Sequence, residues 1–181
     1  GQLIAVFVRS PHAHARIESI DRSAAAGIDG VRAILVAVDL PAYTMPPINP
    51  LVADVRVPPH PLLAFDTVVS IGQPVAVVVA CTARAAQAAA DAVFVDYEAL
   101  PACGDHDPGG APLVSIHHRH GPAPDTKAVA GRVSVRHRQS RVAAMPLEPR
   151  VAIAERDAAA GRLTAWLPTQ APSRARADIA R

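Results

Sequence analysis

Residues 71–101 read IGQPVAVVVACTARAAQAAADAVFVDYEALP, and this stretch decides the fold. An unbroken apolar run from Val75 to Ala80 is too short for a lone buried helix and is rich in β-branched valine. It predicts a strand covered on both faces. Thr82 follows, with a hydroxyl able to accept a first-turn N–H. Ala83 to Ala92 is then almost pure alanine, the strongest helix former, and a helix without side-chain bulk can lie close against a sheet. Val93 to Tyr97 returns to valine and aromatic residues, and Leu100-Pro101 ends the run. Strand, helix, strand is the minimal crossover unit, expected to be right-handed. It carries no nucleophile and no acid–base pair.

Working outward, Leu3 to Val8 is a second apolar strand that ends at Arg9-Ser10-Pro11, where Pro11 holds Ser10 extended or in a turn. Asp21 or Ser23 can start a short helix through Ala24, Ala25 and Ala26, closed by Gly27 and Gly30. Val31 to Leu40 predicts a third strand, so a second strand–helix–strand unit precedes the first. Between Asp39 and Ala64 the chain carries seven prolines, too long a stretch for a simple connector. Asp105 to Lys127 reads as a Pro-, Gly- and His-rich linker between domains 1–104 and 128–181. Beyond it, Val133 and Val135 alternate with Arg132, Ser134 and Arg136, predicting a half-exposed strand. Val151–Arg156 and Arg162–Leu167 predict a hairpin, its turn ending at Gly161. Ser173–Arg181 resembles a helix start without a terminal cap. That ending, and a beginning at Gly1, lead us to expect a piece of a longer chain.

Composition narrows the function. Half of the 181 residues are apolar and the formal net charge is only +2, so the chain has material for a core and no field drawing it to nucleic acid or membrane. No apolar run reaches the roughly 18 residues that span a bilayer. The two cysteines, Cys81 and Cys103, lack metal spacing; Cys81 is expected to pack as a small apolar residue in the buried strand, in a cytoplasmic setting.

His12 and His14 flank one turn. His117, His118 and His120 gather near Asp105 and Asp107, a donor set that could hold a transition metal but more simply supplies polar turn residues. The basic run Arg132, Arg136, His137, Arg138 and Arg141 has no aromatic residues interleaved for base stacking. Phosphate-cradling glycine motifs and a GxSxG nucleophile turn are both absent. Chemistry alone reveals no active site.

Three stretches together resemble one family. Ala5-Val6-Phe7-Val8-Arg9-Ser10-Pro11-His12-Ala13-His14-Ala15-Arg16-Ile17 looks like the opening of the α/β hammerhead domain of molybdenum hydroxylase large subunits, the xanthine dehydrogenase, aldehyde oxidase and carbon monoxide dehydrogenase family. Gly72-Gln73-Pro74-Val75-Ala76-Val77-Val78-Val79-Ala80 with Val95-Asp96-Tyr97-Glu98-Ala99-Leu100-Pro101 is similar to the same domain's crossover unit. Pro146-Leu147-Glu148-Pro149-Arg150, Gly161-Arg162-Leu163-Thr164-Ala165-Trp166 and Thr169-Gln170-Ala171-Pro172 look like the start of its molybdenum-cofactor domain. Val151 stands where the family usually has glycine, and Ser173 where histidine or asparagine is common.

The resemblance implies an α+β fold, a hammerhead followed by the β-rich start of a second domain. It assigns one residue to the cofactor site, Gln170, whose amide would hydrogen-bond an oxygen ligand of molybdenum, and no catalytic or metal-ligating residue to this segment. Glu148 and Arg150 would form a structural pair. The parent enzyme would use molybdopterin, in the cytosine dinucleotide form, to oxidise an aldehyde, an N-heterocycle or carbon monoxide. Its partners would be an FAD-binding medium subunit and a small 2Fe–2S iron–sulfur subunit, in a dimer of the whole complex. The segment alone is expected to be inactive. The alternative is a free-standing interaction or His-rich metal-binding module.

Overall fold

The computed structural model describes residues 1–41, 55, 58, 60–104, 118, 120–121, 131, 133–139, 142 and 144–180. It divides into two compact units, residues 1–122 and 123–181.

Among the described residues, the first unit is built from six strands in two three-stranded sheets. In chain order its elements are β1 (Ile4–Arg9), β2 (Ala15–Asp21), α1 (Ser23–Ala26), β3 (Val31–Val36), a 3₁₀ turn (Ala37–Asp39), β4 (Thr67–Val68), β5 (Pro74–Ala80), α2 (Ala83–Ala92) and β6 (Phe94–Ala99). One sheet runs β1–β5–β3 and the other β4–β2–β6, and every pair is antiparallel. This corrects the expected crossover. β5 and β6 are not neighbours in one sheet, because α2 carries the chain from the first sheet to the second. The earlier unit, β2–α1–β3, makes the reverse transfer.

α2 forms where expected. The Ala85 N–H donates to Thr82 Oγ1 at 3.1 Å, satisfying a first-turn donor. Ala86, Ala89 and Ala90 are its buried face, and Ala89 and Ala90 pack with Ala25 of α1, Val78 of β5 and Val93. Gly30, at φ +87°, makes the turn into β3, and its carbonyl accepts the Cys81 N–H at 2.9 Å. A second cluster gathers Ala15, Ala64, Val68 and Val75, with Ile17, Val95 and Tyr97 packed against it.

Two further expectations about β5 are corrected. On the face towards α2, Ala76, Val78 and Ala80 are buried; of the opposite set Val75 is buried, but Val77 and Val79 are only half-covered. Their row continues through Phe7 and Leu35, with Phe7 48% exposed, so this face is not sealed like a central parallel strand. Cys81 lies just past the strand end and is exposed, its Sγ 3.1 Å from Arg32 Nε, and neither cysteine is in a disulfide. β3 also stops at Val36, short of Leu40. There the Asp39 carboxylate turns back to accept the Val36 N–H at 2.9 Å and the Arg22 guanidinium at 2.6 Å, winding the end into a 3₁₀ turn.

In the second unit β7 (Ile153–Asp157) and β8 (Arg162–Trp166) form the expected hairpin. Asp157 Oδ1 accepts the Ala160 N–H at 3.0 Å, and Gly161 takes φ +62°. α3 spans Pro172–Ile179. The strand expected around Val133 and Val135 is not formed: residues 133–139 have no regular structure and both valines are over 80% exposed, at 89% and 84%. With no partner strand among the described residues, alternation alone does not hold a β conformation.

Candidate functional site

The segment closing the second unit, β8 through α3, carries the one residue that the sequence assigned to a cofactor. Leu163, Ala165 and Leu167 recur every second residue along β8 and its extension, and Pro172, Ala175, Arg176 and Ile179 recur at helical spacing along α3. The two stripes face each other across an open cleft of about 550 Å³, to which Arg162 and Thr169 also contribute. This apolar cleft was legible as two matching periodicities, yet sequence reasoning passed over it.

Gln170 sits in the bend between the two stripes, flanked by Thr169 and Ala171. Its side chain is exposed and does not line the cleft. The bend itself is held: the Ala171 N–H donates to Thr169 Oγ1 at 3.1 Å, and Pro172 opens α3. Gln170 therefore presents a neutral amide, donor and acceptor together, on a fixed turn. Among the described residues no ion pair joins Glu148 to Arg150, and both are exposed, so the expected structural pair is not formed.

The histidines find other roles. His14 Nδ1 lies 2.6 Å from the Pro101 carbonyl, and the His12 ring packs on Tyr97 with centroids 4.9 Å apart. Burial pushes the Tyr97 phenol above its usual range, an effect opposed by its hydrogen bond to the Ser10 side chain. Of the linker histidines only His118 and His120 fall among the described residues, and both are exposed; His117, Asp105 and Asp107 lie outside them. Among the described residues no three His, Cys, Asp or Glu side chains come together as a metal site. In the basic run, Arg136, His137 and Arg138 are exposed, while Arg132 and Arg141 lie outside the described residues. No helix among the described residues is long and apolar enough to cross a membrane.

Comparison with known proteins bears on all of this. The chain is 35% identical to the nicotine 6-hydroxylase large subunit of Paenarthrobacter nicotinovorans over 95% of its length and 23% of that protein's. The crystal structure of quinoline 2-oxidoreductase from Pseudomonas putida 86 superposes on 98% of the chain with a TM-score of 0.83 at 32% identity, using 24% of its own chain. A Cu,Mo-CO dehydrogenase in its carbon monoxide reduced state matches 58% of the chain and 13% of its own, at TM-score 0.51 and 42% identity. The chain thus spans about a quarter of the length of the first two relatives. Residues 1–101 match the family described as aldehyde oxidase and xanthine dehydrogenase, a/b hammerhead domain. The two-sheet unit is that α+β hammerhead, and the chain belongs to the aldehyde oxidase and xanthine dehydrogenase family, homologous to the large subunits of molybdenum hydroxylases.

Proposed function

We propose that this chain is the hammerhead (residues 1–104), linker (105–127) and opening of the cofactor domain (128–181) of a large subunit that oxidises a small organic molecule or carbon monoxide. Gln170 stands at the edge of its molybdopterin site. The observation that carries this reading is the exposed amide of Gln170, fixed on a turn within a segment that matches an oxidoreductase structure nearly end to end.

The donor set suits the cofactor. A neutral amide can orient an oxygen ligand without changing the site's charge. Arg162 and Arg176 border the neighbouring cleft and offer positive charge to a phosphate-bearing group. When bound, the molybdenum accepts the two electrons of substrate oxidation, with water as the oxygen source. This chain's contribution is to orient and to enclose. By resemblance, the proton-transferring group would lie outside this segment. An FAD-binding medium subunit and a 2Fe–2S small subunit would carry the electrons away, and a cytoplasmic setting accords with two unpaired thiols. The hammerhead alone would have a packing role and no turnover.

The test is Gln170→Leu in the holoenzyme. Molybdenum content should hold while the EPR signal of pentavalent molybdenum shifts and kcat falls by about ten- to a hundredfold, the range for losing one orienting partner of a metal ligand. An unchanged signal and unchanged kcat would refute the assignment.

A further inference from the structure

We infer that Thr169 is the positioning residue for Gln170, an inference that rests on the proposed role of that glutamine. β8 ends at Trp166, and the chain from Leu167 to Ala171 has no ladder to hold it. Pro168 and Pro172 fix their own φ angles and restrict Leu167 and Ala171, so the soft backbone dihedrals concentrate at Thr169 and Gln170. The Ala171 N–H to Thr169 Oγ1 bond, 3.1 Å, closes a ring that spans Gln170. That ring contains ψ of residue 169 and both φ and ψ of residue 170, the backbone angles that set the direction in which the Gln170 side chain leaves the chain. Among the described residues no other hydrogen bond closes this bend. The Ala171 cap position has no side-chain cap of its own, and Gln170 is exposed rather than wedged by neighbours. The hydroxyl of Thr169 replaces the packing that usually holds a metal-facing side chain.

The experiment compares three holoenzyme variants with Gln170→Leu as reference. Thr169→Val keeps the shape and removes the acceptor; Thr169→Ser and Thr169→Asn keep an acceptor able to span the same turn. With Thr169→Val, molybdenum content and KM should stay within about twofold while kcat falls by about three- to tenfold, the worth of one hydrogen bond. Its molybdenum EPR signal should broaden towards that of Gln170→Leu, and Thr169→Ser and Thr169→Asn should retain the native signal. If Gln170→Leu alters the signal and Thr169→Val does not, or if Thr169→Asn matches Thr169→Val, the positioning role falls and the glutamine's role stands. If Gln170→Leu itself changes nothing, both fall.

Discussion

Replacing Ala89 by leucine tests the physical basis of the hammerhead. Ala89 is fully buried where α2 meets β5 and α1, beside Val78, Ala25 and Ala90. An isobutyl group there has no free volume to enter. α2 must lift or the sheet must shift, which costs about 1–3 kcal/mol in a well-packed core. Ala88, one residue earlier on the same helix, is exposed, and leucine and alanine differ little in helix propensity. Ala88→Leu is therefore expected to change stability by less than about 0.5 kcal/mol. In urea, with a slope of roughly 2 kcal/mol per M, Ala89→Leu should lower the far-UV CD midpoint by about 0.5–1.5 M. Trp166 is the sole tryptophan and belongs to the second unit, so far-UV CD, and not tryptophan fluorescence, is the readout for this helix. Equal midpoints for Ala89→Leu and Ala88→Leu would refute the argument that the alanine run exists to bring helix and sheet together.

Two other perturbations follow from local geometry. Gly30 has φ +87°, and an added Cβ would meet Ala85 Cβ at an ordinary 3.6 Å. Gly30→Ala should thus lose about 1–2 kcal/mol from backbone strain alone, whereas Gly27→Ala, at φ −77°, should be neutral or slightly stabilising in the same urea titration. The Asp39 carboxyl is held below its ordinary pKa, chiefly by the Val36 N–H and further by Arg22, with partial desolvation opposing. A carboxyl depressed in the folded state stabilises above its unfolded pKa, and that contribution is lost as pH falls through the folded value. Stability of the native chain and of Asp39→Asn, followed by thermal melts, should therefore differ at neutral pH and converge on acidification below about pH 4. A difference that persisted at low pH would reject the linkage.

Local rules carried the reading of single elements. The Thr82 cap, the alanine helix, the valine strand and the Gly161 turn follow from propensity and capping within a few residues, and each formed within a residue or so of its expected place. The pairing partners did not follow. A strand–helix–strand pattern is the same string whether the strands are parallel neighbours or lie in two sheets, and only tertiary packing decides. β2 was hidden because Arg16, Glu18, Ser19 and Asp21 make it mostly polar; it is a strand because β6 pairs along it and Arg16 meets Glu98 at 2.6 Å. The Val133 and Val135 alternation shows the converse, a strand pattern with no partner strand among the described residues. For the site, the glutamine came from resemblance, while the turn that holds it needed the Thr169–Ala171 bond to be seen.

The recognisable motifs of the hammerhead meet at one place in the fold. The Ser10 N–H donates to the Gln73 carbonyl at 3.0 Å and the Gly72 N–H to the Ser10 carbonyl at 2.8 Å, while Arg9 reaches the Gly72 carbonyl at 2.8 Å. The same turn closes onto the end of β6: the Leu100 N–H donates to the His14 carbonyl, and His14 Nδ1 meets the Pro101 carbonyl. Ser10, the single polar residue buried among the described residues, bonds its hydroxyl to the backbone of His12 and to Tyr97. Three stretches far apart in sequence thus form one joint that locks the β1–β5–β3 sheet to the β4–β2–β6 sheet. The Arg9 and His14 side chains bond to main chain, the Ser10 hydroxyl bonds to the His12 backbone and to Tyr97, and the His12 ring packs on Tyr97, so the polar groups at this joint find partners within the fold.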